Sequence, residues 1–339
     1  MFEFLTSLPL PLLLTVYLVA AAAMTWFSIK AADYVDWLDK KTTLSGAFIG
    51  GILLSAITSL PELFTSVSST LLQNKPQLSL GNILGSDLFN IAVLATLVIF
   101  WAKSFSKAKI AHGHLVVTLT VMASYAVIAL SWLGIIHDWN VSLTSILILV
   151  FYGISVKYLS AEDGTNEDDS EADAIKLTVK QIVFRLICVS VGIIAFSIVV
   201  SYMTEHVAVK LSISQGFAGA LFMGVATSLP ELASTIALFK KRNYNIAVGN
   251  IVGSNIFNFT ILSLVDVLSW NASVYNFADP KNVLLLLFGI VASILFVVLL
   301  KSKKTAPKVI TSAIILALYL AFLSLPSESF QWLTALQLI

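Results

Sequence analysis

The chain has 339 residues, 58% hydrophobic and only 12% charged, with a formal net charge of +1 and a mean hydropathy of +0.92. Those values exclude a soluble globular domain and leave no basic surface for nucleic acid. They fit an all-α polytopic membrane protein, because lipid cannot satisfy exposed backbone groups and a helix satisfies them internally. A span needs about 20 mostly apolar residues. Ten segments meet that need, at 9–29, 43–71, 79–101, 114–135, 141–158, 182–203, 212–239, 246–269, 282–300 and 308–325. The opening "MFEF" has no positive region and precedes an apolar run too long for a signal peptide, so the first segment reads as a retained helix.

Lys and Arg collect on the cytoplasmic side of membrane proteins. With the N-terminus outside, 17 of the 20 basic residues fall in inward loops or beside them, and only Lys75, Lys210 and Lys281 fall outside. The expected topology is therefore N-out and C-out, in an integral multi-pass protein of a plasma membrane of the prokaryotic inner-membrane kind. Cys188 is the single cysteine, which excludes an intrachain disulfide and a thiolate metal cluster. Between the fifth and sixth segments "SAEDGTNEDDSEADAIK" carries seven acids from Glu162 to Asp173, without the spacing of an EF-hand loop. It reads as a solvated linker. The expected organisation is a first five-helix repeat at 1–158, the linker at 159–180, a second repeat at 181–325 and a tail at 326–339.

The repeat itself is visible in the residues. "TSLPEL" at 58–63 returns at 227–232, and "GNILGSDLFN" at 81–90 returns as "GNIVGSNIFN" at 249–258. Each copy occupies the second and third segments of a five-segment half. An odd number of spans inverts the second half, as in transporters whose site lies at the midplane between inverted repeats.

Ser55, Thr58, Ser59 and Glu62 share one helical face, and Gly224, Thr227, Ser228 and Glu231 take the same face in the second copy. Pro61 and Pro230 have no N–H, so the carbonyls of Ile57 and Ala226 lose a partner. Downstream, Asn82, Ser86 and Asn90 step by four, as do Asn250, Ser254 and Asn258, with Gly81, Gly85, Gly249 and Gly253 allowing close helix approach. Carboxylates, hydroxyls, amides and carbonyls form an all-oxygen set suited to a hard cation; calcium takes 6–8 oxygens at ~2.3–2.6 Å. Hydroxyls in membrane helices often bond back to carbonyls, glycines pack and a proline kinks, so each of these alone has a structural explanation. Glu62 and Glu231 do not, since an unpaired carboxylate in the bilayer is costly and neither has a basic residue nearby in its own helix.

These paired blocks resemble the two alpha-repeats of sodium/calcium exchangers of the cation/calcium antiporter superfamily, and the ten-helix layout covers the chain. The resemblance implies that Glu62 and Glu231 are central calcium ligands, that Thr58 and Thr227 give backbone carbonyls, and that Ser59, Ser228, Ser86 and Ser254 serve sodium. It places Asn90 and Asn258 at the middle of the cavity. Ca²⁺ and Na⁺ are then transported substrates, with no resident cofactor, no enzymatic activity and the bilayer as the other partner. Three features depart from the pattern. Ile57 and Ala226 stand where the family commonly has Gly, Asn stands at both 90 and 258 where Asp is common at one, and Asp87 stands where the second repeat has Asn255. Asp87 borders the same face and adds a candidate for ion coupling. Proton coupling is the runner-up, because buried carboxylates can take protons in place of Na⁺. A channel with acidic rings or an intramembrane acid–base enzyme would not need the inverted, Pro-broken repeats.

Overall fold

The computed structural model describes residues 9–41, 54–136, 142–160, 177–269 and 273–326. The acidic run and the start of the second expected segment lie outside the described residues. Helices α1 (Leu10–Lys41), α2 (Leu54–Thr58), α3 (Leu60–Val67), α4 (Pro76–Phe100), α5 (His112–Trp132) and α6 (Leu143–Ser160) build the first half. The second half has α7 (Val179–Leu211), α8 (Gln215–Thr227), α9 (Leu229–Lys240), α10 (Tyr244–Leu268), α11 (Pro280–Lys301) and α12 (Thr305–Ser324). No strand occurs among the described residues. Seven helices are long and apolar enough to cross a membrane, or eight when the bent pair α8–α9 counts as one span. The shorter apolar α6 is additional.

Helix positions follow the hydropathy, but α1 and α7 run well past the apolar windows at 9–29 and 182–203. Helical hydrogen bonding continues where the sequence turns polar, so an apolar run marks the membrane and not the helix end. These two helices pack along one another. Their outer faces carry exposed apolar side chains such as Leu18, Trp26, Phe184 and Ile187, as expected where lipid is the solvent. By contrast α4 and α10 are buried along most of their length and pack against each other at the centre.

Both sequence-marked breaks are present. Ser59, between α2 and α3, has φ −89° and ψ 10°, and Ser228, between α8 and α9, has φ −87° and ψ 6°. The proline two residues on has no N–H to continue the ladder, which opens one turn at the same place in each repeat. The bend between α8 and α9 is 48°. A π-helical turn adds a further irregularity to each broken pair, at Ser68–Leu72 after α3 and at Gly219–Gly224 within α8.

Close packing brings α8 onto α4. A Cβ on Gly81 would sit 2.4 Å from the Gly216 carbonyl oxygen, and one on Gly85 would sit 2.5 Å from Ala220 Cα. No larger residue fits there without moving backbone, and the close approach carries the kinked segment against Asn82 and Ser86.

Candidate functional site

The two glutamates lie in the first turns of α3 and α9 and are buried, Glu62 at 1% exposure and Glu231 at 0%. Each is fastened by the opposite repeat. Ser228 Oγ donates to Glu62 Oε1 at 3.1 Å, and Ser59 Oγ donates to Glu231 Oε1 at 3.3 Å. Next to Ser228, Thr227 Oγ1 donates to Asn82 Oδ1 at 3.3 Å and lies 3.4 Å from Ser86 Oγ. Ser254 adds a bond to Glu231 Oε1 at 3.4 Å. Glu62 Oε2 and Glu231 Oε2 find no hydrogen-bond partner in the protein.

Beyond the glutamates lies a second crossed pair, between α4 and α10. Asn90 Nδ2 donates to Asn255 Oδ1 at 3.0 Å, and Asn258 Nδ2 donates to Asp87 Oδ1 at 2.9 Å. Positions 87 and 255 correspond in the repeat, as do 90 and 258, so the clasp is the same contact made twice. It also fixes which way the amides point. With their NH₂ groups engaged, Asn90 Oδ1 and Asn258 Oδ1 remain buried acceptors without donors, as does Asp87 Oδ2. Asn255 Nδ2 goes on to the Asp87 carbonyl at 3.2 Å. Buried acceptors are ordinarily paired. Five unpaired oxygens on Glu62, Glu231, Asp87, Asn90 and Asn258 therefore make an electron-rich interior that a cation or ordered water would satisfy.

The side-chain NH₂ groups of two expected residues are engaged with hydroxyls. Asn82 Nδ2 donates to Thr65 Oγ1 and Ser66 Oγ, both at 3.0 Å, while Asn250 Nδ2 donates to Ser234 Oγ at 3.0 Å and Thr235 Oγ1 at 3.2 Å. These two amides brace α3 and α9 one turn beyond the glutamates. The carbonyl of Gly224 accepts from Ser86 Oγ at 3.1 Å and Thr227 Oγ1 at 3.3 Å, and that of Ser55 accepts from Thr58 Oγ1 at 3.2 Å. Gly224 is the small partner of Ser55, and a Cβ there would come within 3.0 Å of Asn82 O and Ser86 N. Periodicity did not single out Asn255 or Thr65, whose roles depend on neighbours across the bundle. The spare Asn in "GSNIFN", opposite the Asp in "GSDLFN", was the available signal for Asn255.

Among the described residues no group of three or more His, Cys, Asp and Glu side chains is gathered to hold a metal ion. The donor set is carboxylate, amide, hydroxyl and carbonyl oxygen, which suits hard cations.

Comparison with known proteins shows the family. The family model described as sodium/calcium exchanger protein matches residues 11–160 and 182–327. The chain belongs to the sodium/calcium exchanger protein family. The two matched stretches of this family member are its two halves, on either side of the acidic run. It is 28% identical over 218 residues to an uncharacterized membrane protein of Methanocaldococcus jannaschii, covering 63% of this chain and 67% of that protein. It is 26% identical over 224 residues to the inner membrane protein YrbG of Escherichia coli, covering 63% and 66%. The alignments thus span about two thirds of each relative. Among solved structures, an H⁺/Ca²⁺ exchanger, CAX, superposes with a TM-score of 0.72 at 13% identity over 96% of this chain and 87% of the other. The sodium-calcium exchanger NCX_Mj superposes with a TM-score of 0.59 at 22% identity over 94% and 100%. Both likenesses are of fold. The exchanger family member is an integral multi-pass membrane protein of a transporter family, with bacterial and archaeal relatives.

Proposed function

We propose that the chain is a secondary antiporter exchanging Na⁺ for Ca²⁺ by alternating access, built as ten spans in two inverted five-helix repeats with both termini outside. The observation that carries this reading is the crossed pair of buried glutamates, each held on one oxygen by the other repeat and unpaired on the second. Two negative charges match one Ca²⁺, or a set of Na⁺ ions sharing the same oxygens. On this reading Thr58, Thr227, Ser59, Ser228, Ser254, Asn90 and Asn258 complete the oxygen set around the ions, while Ser55, Gly224 and Ser86 shape the kinked segments. An empty site would keep unpaired carboxylates in a dehydrated interior, an expensive state, so the protein reorients only when loaded. That rule couples the two fluxes.

Purified protein in sealed vesicles tests it. Ca²⁺ should enter vesicles loaded with Na⁺, and uptake should stop when every exchangeable cation is removed from inside. Sodium-independent flux driven by a pH gradient would replace the reading with proton coupling. Asp87, a third buried acid with an unpaired oxygen, favours that second reading. Flux down a calcium gradient with no counter-ion would indicate a channel.

A further inference from the structure

Three segments of the chain carry nine exposed cations. Segment 101–111, after α4, holds three lysines; 240–243, after α9, holds Lys240, Lys241 and Arg242; and 301–304, between α11 and α12, holds three more lysines. None of the three segments contains Asp or Glu. Among the described residues none of the nine cations is in an ion pair. The formal charge of the whole chain is only +1 because the acids lie elsewhere, so the sum conceals these segments.

An aromatic cluster gathers the three segments into one face. Phe239, fully buried at the end of α9, stacks on Phe105 at 5.8 Å and lies edge-on to Trp101 and Tyr244. Lys308 Nζ sits over the Phe105 ring at 4.7 Å and donates to Leu299 O at 3.2 Å, which ties the α11–α12 turn to the same ring. Ser106 Oγ and Thr305 Oγ1 are 2.8 Å apart, and Ala111 N donates to Asn245 Oδ1 at 2.8 Å.

Membrane topology explains an excess of lysine on one side. It does not explain the lack of acids, since at the end of α1 Lys30, Lys40 and Lys41 are interspersed with Asp33, Asp36 and Asp39, and Lys30 pairs with Asp33 at 2.9 Å. Helix dipoles favour cations at a C-terminus, which suits Lys240, Lys241 and Lys301. They oppose Lys303 and Lys304, which stand just ahead of α12 with Lys304 as its N-cap. Arg242 also goes against a local preference. It has φ +60° directly after the C-cap of α9, in a turn where Arg242 N donates to Phe239 O at 3.0 Å and Asn243 N to Leu238 O at 2.9 Å. Glycine takes that position freely and a side chain enters it at a cost. Like charges gathered this way repel one another, and a bound anion relieves them.

Exposed apolar side chains stand close to these segments in the chain, namely Phe100, Ile246 and Ile310. A partner for this face needs an anionic group for the cations and apolar chains for its edge. An anionic phospholipid has both, at the depth where a membrane-spanning helix ends, whereas free phosphate or an acidic peptide has only the first. We propose that the face formed by 101–111, 240–243 and 301–304 docks anionic phospholipid headgroups. The proposal goes beyond the antiporter reading and stands whichever ions the chain moves.

Native mass spectrometry of the full-length protein, delipidated in detergent and offered equal amounts of phosphatidylglycerol and phosphatidylcholine, reads the preference directly. The parent should retain phosphatidylglycerol at least about fivefold over phosphatidylcholine, and Arg242→Gln, Lys303→Gln and Lys304→Gln together should bring that ratio below about twofold. Lys157→Gln, Lys180→Gln and Arg185→Gln together remove the same charge from other exposed positions and should leave the ratio unchanged. Equal loss in the two triple variants would reduce the effect to net charge and overturn the proposal, as would a parent without preference. Arg242→Gly separates docking from folding. It should melt at or above the parent temperature, because glycine suits that turn, yet hold phosphatidylglycerol at least about twofold more weakly. Unchanged binding in that variant would overturn the proposal. Two other occupants have their own signatures. Displacement of the lipid by excess inorganic phosphate would make this a free-phosphate site. A preference that emerges only after the seven acids from Glu162 to Asp173 are changed to amides would assign the face to the chain's own acidic run. Either result would overturn docking of lipid.

Discussion

The centre and the two flanks of this molecule obey different rules. At the centre, Ser59 reaches Glu231 and Ser228 reaches Glu62, and Asn90 and Asn258 clasp equivalent positions of the opposite repeat. On the flanks, Thr70, in the π-helical turn after α3, and Phe239, in α9, occupy equivalent repeat positions with opposite chemistry. On the antiporter reading, one ion shared by the two repeats benefits from matched ligands on both sides. On the antiporter reading the paths to that site are not open at the same time, so their linings are free to diverge. Repetition in sequence therefore marks the crossed contacts at the centre, and its failure marks the flanks where the two repeats pack differently.

The largest effect should come from breaking the central pair. Glu62→Gln and Glu231→Gln should each lower calcium uptake by at least about two orders of magnitude, the scale set by ~3–5 kcal/mol for removing one member of a buried charge set. Both variants should melt at or above the parent temperature, since an amide is cheaper to bury than a carboxylate without its cation. A variant of either residue that retained parental uptake would remove the glutamates from the site.

Phe239→Ala tests the aromatic flank. Loss of a buried ring costs ~3–5 kcal/mol, so the melting temperature should fall by many degrees. The same truncation at Phe100, which is exposed, should leave it within about a degree. Equal effects would mean that the aromatic cluster does not pack as a unit.

Asp87 sharpens the central comparison. Asp87→Leu removes the acceptor that orients Asn258, and a charge-assisted hydrogen bond of ~1.5–3 kcal/mol implies roughly 10- to 100-fold weaker Ca²⁺ binding. Asp87→Asn keeps an acceptor oxygen at that position and should restore most of the affinity. If both variants bind alike, the clasp does not position Asn258.

Smaller effects are expected from packing. Gly85→Ala meets the Ala220 backbone and should destabilise by ~1–3 kcal/mol. Gly153→Ala has open space around its new Cβ and should be neutral or stabilising by up to ~1 kcal/mol. Thermal unfolding of the two variants side by side separates close helix approach from the general cost of altering a helical glycine.

The amino-acid sequence by itself determined the solvent of this protein, the segments that suit it, the internal repeat, and the duplicated Pro-Glu breaks. Each of those depends on composition or on spacing within one helix, where 3.6 residues per turn tells which side chains share a face. Shared faces put Thr58, Ser59 and Glu62 together, and likewise Asn82 with Asn90. What they could not tell is which helix a face meets. Only the tertiary structure decided that Ser59 serves the other repeat's glutamate, that the Nδ2 groups of Asn82 and Asn250 brace hydroxyls, and that Asn255 and Asp87 orient Asn90 and Asn258. These bonds join residues more than a hundred positions apart in most cases, across helices brought together by packing at Gly81, Gly85 and Gly224. Spacing along a chain carries no information about such partners; close packing of whole helices selects them.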